Sequence, residues 1–141
     1  MSQDVKVTVT ERGGRRMAST GSSWEPIIGY SRAVRIGEII AVTGCVGLEA
    51  DGSFAPGMKE QSLRALTIVL AAVESLGGRK DDVIRTRMFV TDISRWREVG
   101  EAHGSIFGEI RPATTMVEVA KLIDDAALVE IEADAVIRPA G

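Results

Sequence analysis

The stretch "RPATTMVEVAKL" (residues 111–122) is a strand that decides how the C-terminal half of the chain is organised. Pro112 cannot continue a preceding helix, and the residues after it alternate in the period of two that is typical of a half-buried strand. The alternation sorts six side chains into two faces, with Thr115, Val117 and Val119 on one and Thr114, Met116 and Glu118 on the other.

The length and composition predict one domain spanning residues 1–141. A chain of 141 residues and 15.1 kDa is long enough to bury one hydrophobic core. Its 45% hydrophobic and 26% charged residues are ordinary for a globular protein. Residues 1–25 are expected to form a partly flexible N-terminal strand and loop, in which "ERGGRR" (11–16) is a flexible loop.

Charge and composition also exclude several classes of partner. A net charge of −3 and only 4% aromatic residues argue against nucleic acid as a partner. No apolar run approaches the roughly 20 residues that span a bilayer, so we expect no membrane partner and a cytoplasmic location. Because Cys45 and His103 are the sole residues of their types, the sequence predicts no disulfide, no metal site and no cofactor.

Hydrophobic periodicity predicts an α+β fold with the order β-β-β-α-β-α-β-β. Two helices can cover one face of such a mixed sheet, which leaves the other face to water or to a partner subunit. The predicted strands are "DVKVTV" (4–9), "RAVRIG" (32–37), "IIAVTGCVG" (39–47), "DVIRTRMFVTD" (82–92), "ATTMVEVA" (113–120) and "LVEIEADAVI" (128–137).

The two predicted helices have apolar stripes at spacings of three and four. The first runs from Met58 to Leu76 and ends at Gly77, where a left-handed cap favours glycine. The second begins after Ser94 as its N-cap. His103 lies on its apolar stripe, which favours a hydrogen-bonded core histidine without a function. The two stripes are Leu63, Leu66, Leu70 and Val73, and Trp96, Val99, His103 and Ile106.

The uncovered face of the sheet is expected to mix apolar and charged side chains. The alternation places Arg85, Arg87 and Phe89 on one face of their strand, and we expect Met116 to join them. Burial of this face against copies of the same chain predicts a homotrimer.

Several motifs together resemble the RidA (YjgF/YER057c) family from about Gly29 to Ile137. The resemblance implies a chorismate-mutase-like fold, a homotrimer, and small-molecule pockets in the clefts between subunits. It also implies hydrolysis of reactive enamines and imines to 2-oxo acids and ammonia. The motifs are "GYSRAVRIG" (29–37), "VTGCVG" (42–47), "VIRTRMFVTDI" (83–93), "RPATTMVEVAKL" (111–122) and "LVEIEADAVI" (128–137).

The resemblance also assigns roles to individual residues. Glu130 matches the glutamate that positions the attacking water, so it is the predicted catalytic residue. Imine hydrolysis needs protons moved between water and nitrogen, which a partly buried glutamate can do. Predicted substrate-binding residues are Tyr30, Thr43, Gly44, Arg87, Phe89, Thr114, Met116 and Glu118.

One family feature is absent from this sequence. The archetype reads Pro-Ala-Arg at the start of the strand, and that arginine grips the substrate carboxylate; here the same place reads Pro112-Ala113-Thr114. A bidentate arginine–carboxylate contact contributes about 1.5–3 kcal/mol per hydrogen bond, so its loss predicts an altered substrate. Arg87 is the first candidate for a substitute cation and Arg32 is the second.

The sequence leaves two functions open. The first is a diverged imine or enamine deaminase, and the second is a non-catalytic protein that binds a small molecule or a partner on the same trimeric scaffold. Ribonuclease activity, sometimes attached to the family name, fits poorly with the acidic charge. The sequence also leaves open whether Cys45 is a reactive thiol or a small buried hydrophobic residue.

Overall fold

The computed structural model describes residues 4–139. Within this range the chain forms seven strands and three α-helices. The strands are β1 (Thr8–Arg12), β2 (Arg15–Ser19), β3 (Ala33–Ile36), β4 (Ile39–Val46), β5 (Val83–Val90), β6 (Ala113–Glu118) and β7 (Val129–Val136). The helices are α1 (Trp24–Ile28), α2 (Met58–Ser75) and α3 (Trp96–Phe107).

All seven strands join one mixed sheet in the order β1-β2-β3-β4-β7-β5-β6. Neighbouring strands run antiparallel except β5 and β6, which are parallel. A parallel pair needs a long crossover, and α3 supplies it between the end of β5 and the start of β6. The predicted α+β class and mixed sheet are confirmed.

The core lies between the sheet and the two long helices. α2 packs on β4 and β7, and α3 packs beside α2. The residues of the central strand β7 point alternately to the two faces of the sheet. Its helix-facing residues are buried and its acidic residues are half-buried on the other face, as the sequence predicted: Val129, Ile131, Ala133 and Ala135, and Glu130, Glu132 and Asp134.

We call the second face of the sheet the open face, because the long helices α2 and α3 pack on the other side of the sheet. The prediction that Met116 lies on this face is wrong. Met116 is opposite Met88 in the register of β5 and β6 and packs against the core, so Thr115 and Val117 take the open side. The apolar residues of the open face include Val34, Ile36, Ile39, Ala41, Phe89 and Val117.

The N-terminal region differs from its prediction. The first strand covers Thr8–Arg12 and not residues 4–9. Residues 11–16, expected to be a flexible loop, form the turn and flanking ends of the β1–β2 hairpin. Gly13 and Gly14 both have positive φ angles, 58° and 80°, which suits the tight turn between twisted strands. The sheet therefore has one more strand than predicted.

Helix α2 is close to its prediction, and its buried side is wider than the predicted stripe. Leu66 and Val73 are fully buried, whereas Leu63 and Leu70 are half-buried. Gly77 ends the helix with a φ of 91°. No helix within the described residues, α2 included, is long and apolar enough to cross a bilayer.

The start of α3 was predicted incorrectly. Ser94 is not its N-cap; Asp92 accepts a hydrogen bond from the Ser94 backbone N–H (3.0 Å) and starts a 3₁₀ turn over Ile93–Arg95 that leads into the helix. Trp96, expected on the buried stripe, is 49% exposed, while Val99 and Phe107 are buried. Trp96 is the first residue of α3 and lies outside its buried side.

A buried carboxylate connects the C-terminal segment to the turn before β5. Asp82 is 1% exposed and accepts hydrogen bonds from the backbone N–H of Arg79 (2.9 Å) and of Arg138 (3.4 Å). The guanidinium groups of Arg79 and Arg138 also lie within ion-pair distance of Asp82 Oδ1, at 3.6 and 3.7 Å. Burial acts to raise the pKa of Asp82, but these hydrogen bonds and charges outweigh it and the pKa is lowered.

Replacing Asp82→Asn is expected to lower the free energy of unfolding by about 1–3 kcal/mol near neutral pH, because the N–H donors and guanidinium groups of Arg79 and Arg138 lose a charged acceptor. Since the pKa of Asp82 is lowered in the folded state, its stabilising effect is present above the unfolded pKa of about 3.9 and disappears in more acid solution. Urea unfolding of both proteins at several pH values measures the difference.

The neighbouring variant Asp81→Asn is the matched control, because the Asp81 side chain is exposed. An Asp82→Asn protein as stable as the wild type at pH 7 would contradict the role assigned to this carboxylate.

Candidate active site

A cleft of about 1080 Å³ opens where the C-terminal end of β4 meets α1, α2 and β7. It contains four of the predicted site residues, Tyr30, Thr43, Gly44 and Glu130, together with Arg32. Its walls also include the apolar side chains Trp24, Ile28, Val46, Leu48, Ile68 and Ile123.

Arg32 is the buried cation of the cleft, with an exposure of 7%. It immediately precedes β3, and its guanidinium has four hydrogen-bonding contacts. Its Nη1 donates to the carbonyl of Gly44 (2.9 Å) and contacts Cys45 Sγ (3.6 Å). Its Nη2 donates to the Tyr30 hydroxyl (3.3 Å), and its Nε donates to Thr20 Oγ1 (3.4 Å).

These contacts leave the charge of Arg32 without a carboxylate partner. Among the described residues no ion pair includes Arg32. A guanidinium has five N–H donors, and the four contacts leave one N–H on Nη2 unassigned. A buried positive charge with neutral partners and a spare donor is suited to an anionic group of a ligand.

Glu130 brings a carboxyl group to the same cleft. It lies on the open face of β7, and burial raises its pKa, which the charge of Arg32 lowers in part and the charge of Glu132 raises further. A carboxyl with a raised pKa exchanges protons more readily near neutral pH than an exposed glutamate.

Gly44 separates the acid from the cation. Its carbonyl accepts from Arg32, and the Glu130 carboxylate lies where a Cβ on residue 44 would be. A β-bulge between Val42 and Cys45 brings this part of β4 against β7. Any side chain at residue 44 would therefore displace the Glu130 carboxyl.

Tyr30 and Thr43 lie in the cleft with their polar groups occupied. The guanidinium of Arg32 lies 5.4 Å from the centre of the Tyr30 ring, and the Tyr30 hydroxyl accepts a hydrogen bond from it. The Thr43 hydroxyl donates to the carbonyl of Ser31 (2.7 Å). Both residues therefore support the position of Arg32 and the backbone that precedes β3.

Cys45 is buried and is a weak nucleophile in this position. Burial raises the pKa of its thiol to about 11, although the nearby Arg32 acts in the opposite direction. The thiolate is the reactive form, so a thiol that stays protonated at neutral pH packs as a small hydrophobic residue.

Arg87 and Phe89 share the open face with Glu130 and lie outside the lining of the cleft. Phe89 is directly opposite Glu130 in the register of β5 and β7. Arg87 donates to both Glu132 (3.2 Å) and Asp134 (3.1 Å), so its charge already has two carboxylate partners. The structure therefore favours Arg32 over Arg87 as the cation available to a ligand.

Thr114, Met116 and Glu118 lie on the opposite side of the sheet from Glu130. The sequence predicted that they share one pocket, and the pairing of β6 with β5 places them on the helix side instead. Glu118 Oε1 accepts from the backbone N–H of Ile93 (3.0 Å), where it supports the turn before α3. The alternation of residues sorted the side chains of β6 into two faces correctly. It did not show which of these faces lies on the same side of the sheet as Glu130.

Thr114 takes part in a chain of side-chain hydrogen bonds. The buried Thr86 hydroxyl donates to Thr114 Oγ1 (2.7 Å) and lies 2.8 Å from His103 Nε2. Burial lowers the pKa of His103. As predicted from its position on α3, His103 is a hydrogen-bonded histidine of the helix layer.

Within residues 4–139 no group of three or more His, Cys, Asp or Glu side chains could hold a metal ion. The half-buried Glu130 carboxyl and the buried Arg32 guanidinium are the ionisable groups of the cleft on which the function proposed below rests.

Comparison with known proteins identifies relatives along most of the chain. The family model described as Endoribonuclease L-PSP matches residues 20–137. The crystal structure of Rv2704 from Mycobacterium tuberculosis, described as a member of the YjgF/YER057c/UK114 family, is 50% identical with a TM-score of 0.82. The match covers 87% of this chain and 99% of that one.

Two further relatives have names that describe an activity or a ligand. A 2-iminobutanoate/2-iminopropanoate deaminase of Salmonella typhimurium is 32% identical over 77% of this chain and 88% of its own length. Escherichia coli TdcF, solved with bound serine, is 27% identical, has a TM-score of 0.73, and is matched over 77% of this chain and 88% of its own. The chorismate-mutase-like fold predicted from the motifs is confirmed, and the chain belongs to the RidA (YjgF/YER057c/UK114) family.

Proposed function

We propose that the protein hydrolyses an imine or its enamine tautomer to a carbonyl compound and ammonia in the cleft around Glu130. The observation that carries this proposal is the juxtaposition of a half-buried carboxyl of raised pKa with a buried, unpaired guanidinium on either side of Gly44. The deaminase name of the Salmonella relative supports the same reaction class.

The reaction needs one group that both gives and takes protons. Protonated Glu130 donates to the imine nitrogen, and the resulting carboxylate accepts a proton from water as the water oxygen bonds to the imine carbon. Glu130 then returns this proton to the amine nitrogen of the carbinolamine. The carbon–nitrogen bond breaks, ammonia leaves, and the hydroxyl proton passes back to Glu130 as the carbonyl forms. One water is consumed, and Glu130 ends in its starting state.

Arg32 is the proposed anchor for an anionic group of the substrate. It replaces the family arginine that is absent at Thr114, and its burial and spare N–H support the role. Because the cation reaches the cleft from β3 and not from β6, the substrate would be oriented differently from that of an arginine-bearing relative. A substrate other than the archetypal small imino acids follows from this change.

The trimeric assembly is part of the same proposal. Ile36, Ile39 and Val117 are 52%, 61% and 42% exposed on the open face, and burying them against a neighbouring subunit removes apolar surface from water. A closed ring of three copies gives each copy the same contact. In this assembly the cleft lies beside a subunit boundary.

Replacing Glu130→Gln should abolish ammonia release from a dehydratase-generated imine while leaving binding nearly unchanged. The same variant should be more stable than the wild type at pH 7. A raised folded pKa means that the wild type loses stability as pH rises from about 4.3 through the folded value, and glutamine does not titrate. Enzymatic ammonia detection and thermal unfolding at pH 4 and pH 7 measure both effects.

Glu132→Gln is the matched control, because Glu132 lies on the same strand and face but outside the cleft lining. Undiminished turnover in Glu130→Gln would remove Glu130 from the mechanism. Stoichiometric binding without turnover in the wild type would favour the non-catalytic alternative. RNA cleavage that is lost in Glu130→Gln would instead favour the activity in the family description.

Replacing Arg32→Gln should raise KM for a carboxylate-bearing imine about 10- to 100-fold, because a charged hydrogen bond of roughly 1.5–3 kcal/mol is lost. Arg87→Gln is the matched control and should leave KM unchanged. Initial rates at a series of imine concentrations give both values. Circular dichroism confirms folding, and Arg32→Lys, which keeps the charge, is the second variant if Arg32→Gln does not fold. A larger effect in Arg87→Gln than in Arg32→Gln would contradict this assignment.

Light scattering should give a molar mass three times the 15.1 kDa of the chain. Ile39→Glu should dissociate the assembly, since it buries a charge in the proposed contact. Ile93→Glu, at a 38% exposed isoleucine in the turn before α3, is the control and should leave the mass unchanged. A monomeric wild type would disprove the trimer.

A further inference from the structure

We infer that the substrate of the cleft carries a bulky apolar substituent, such as the side chain of a leucine- or phenylalanine-derived imine. The inference rests on the proposed function and names its substrate class. It is drawn from the apolar part of the cleft, which takes no part in the hydrolysis itself.

The outer part of the cleft is apolar and largely bare. Ile28 and Ile123 are 61% and 54% exposed, and both line the same cleft as Glu130. Trp24 precedes Ile28 on α1, and Ile68 faces the cleft from α2. Grouped exposed apolar side chains at a concave surface are typical of ligand sites, since they leave water at low cost when a ligand covers them.

Polar and apolar parts of the cleft are separated. Arg32, Tyr30 and Glu130 form one polar region, which would contact the anionic group and the carbon–nitrogen double bond of the substrate. Charged side chains also occur in the lining: Arg64 pairs with Asp4 at 2.8 Å and lies 3.8 Å from Glu49, and Lys6 is exposed to water. Apart from Lys6 and a few hydroxyl groups, the remaining lining is apolar, and an apolar substituent on the imine carbon complements it.

The size of the cleft agrees with this assignment. Pockets for drug-sized ligands commonly have volumes of about 300–1,000 Å³, and this cleft of about 1080 Å³ lies just above that range. A substrate with only a methyl substituent would leave the apolar wall in water. Each additional buried CH₂ contributes about a fourfold gain in binding, so the three extra carbons of a leucine-derived imine allow a gain above tenfold.

The test compares three imines of increasing size with the full-length protein. D-amino acid oxidase and oxygen convert D-alanine, D-leucine and D-phenylalanine to imino acids with planar carbon, and catalase removes the hydrogen peroxide. Semicarbazide traps the imine that survives, so hydrolysis appears as loss of semicarbazone. The expected kcat/KM is at least tenfold higher for the leucine- and phenylalanine-derived imines than for the alanine-derived one.

Substitutions in the apolar wall test the contact directly. Ile28→Ser and Ile68→Ser should each lower kcat/KM for the two large imines by about tenfold, mainly through KM, and should affect the alanine-derived imine much less. Ile27→Ser is the matched control, because Ile27 is adjacent to Ile28 and 79% exposed but does not line the cleft. It should leave all three rates unchanged.

The outcomes separate this inference from the proposed function. Equal kcat/KM for all three imines, or large-imine rates unchanged in Ile28→Ser and Ile68→Ser, would overturn the apolar substituent while hydrolysis stands. No acceleration of any imine would overturn the proposed function and the inference with it. A lower molar mass of Ile28→Ser in light scattering would show that this wall is a subunit contact and would overturn the inference alone.

Discussion

The arrangement of the molecule depends on the pairing of β7 with β4 on one side and β5 on the other. With both edges paired, β7 has no freedom to shift, because a slip by one residue would exchange its buried and acidic faces. Ile131 and its helix-side neighbours therefore fix the core, and Glu130 is fixed by the same constraint on the opposite face. The position of the candidate catalytic carboxyl is thus a consequence of core packing.

A second constraint is the burial of Arg32 with neutral partners. Taking a guanidinium out of water is costly, and hydrogen bonds to a carbonyl and two hydroxyls offset only part of that cost. The Gly44 carbonyl that accepts from it belongs to the bulge that also accommodates Glu130. Arg32 and Glu130 therefore both contact Gly44, so a shift of the backbone at residue 44 would move both side chains.

Much of the fold could be predicted from alternation and capping, and the errors have physical causes. The buried sides of β5 and β7 followed from their apolar residues, but the edge strand β6 has few buried side chains to mark its inner face. Thr114, Met116 and Glu118 were therefore assigned to the wrong side. The β1–β2 hairpin was missed because its residues are polar and β1 is wholly exposed, so it shows little of the apolar alternation that marks a buried strand.

Several residues of the candidate site could be predicted from the sequence, but which arginine lacks a carboxylate partner could not. Tyr30, Gly44 and Glu130 came from motif matches, and the structure brings them to one cleft. The choice between Arg87 and Arg32 depended on which guanidinium has carboxylate neighbours, and those neighbours lie about 45 residues from Arg87 in sequence. Long-range pairing of this kind is a property of the register between strands and has no local sequence signal.

In the proposed reaction, Arg32 would also connect substrate binding to proton transfer. In the free protein its charge lowers the pKa of Glu130 in part, against the effect of burial. A carboxylate ligand on Arg32 neutralises that charge and adds a like charge near Glu130, and an apolar substituent displaces water; all three changes raise the pKa further. The ligand would thereby favour the protonated carboxyl that the first step requires. Once the imine nitrogen has taken the proton, its positive charge stabilises the Glu130 carboxylate that must next accept a proton from water.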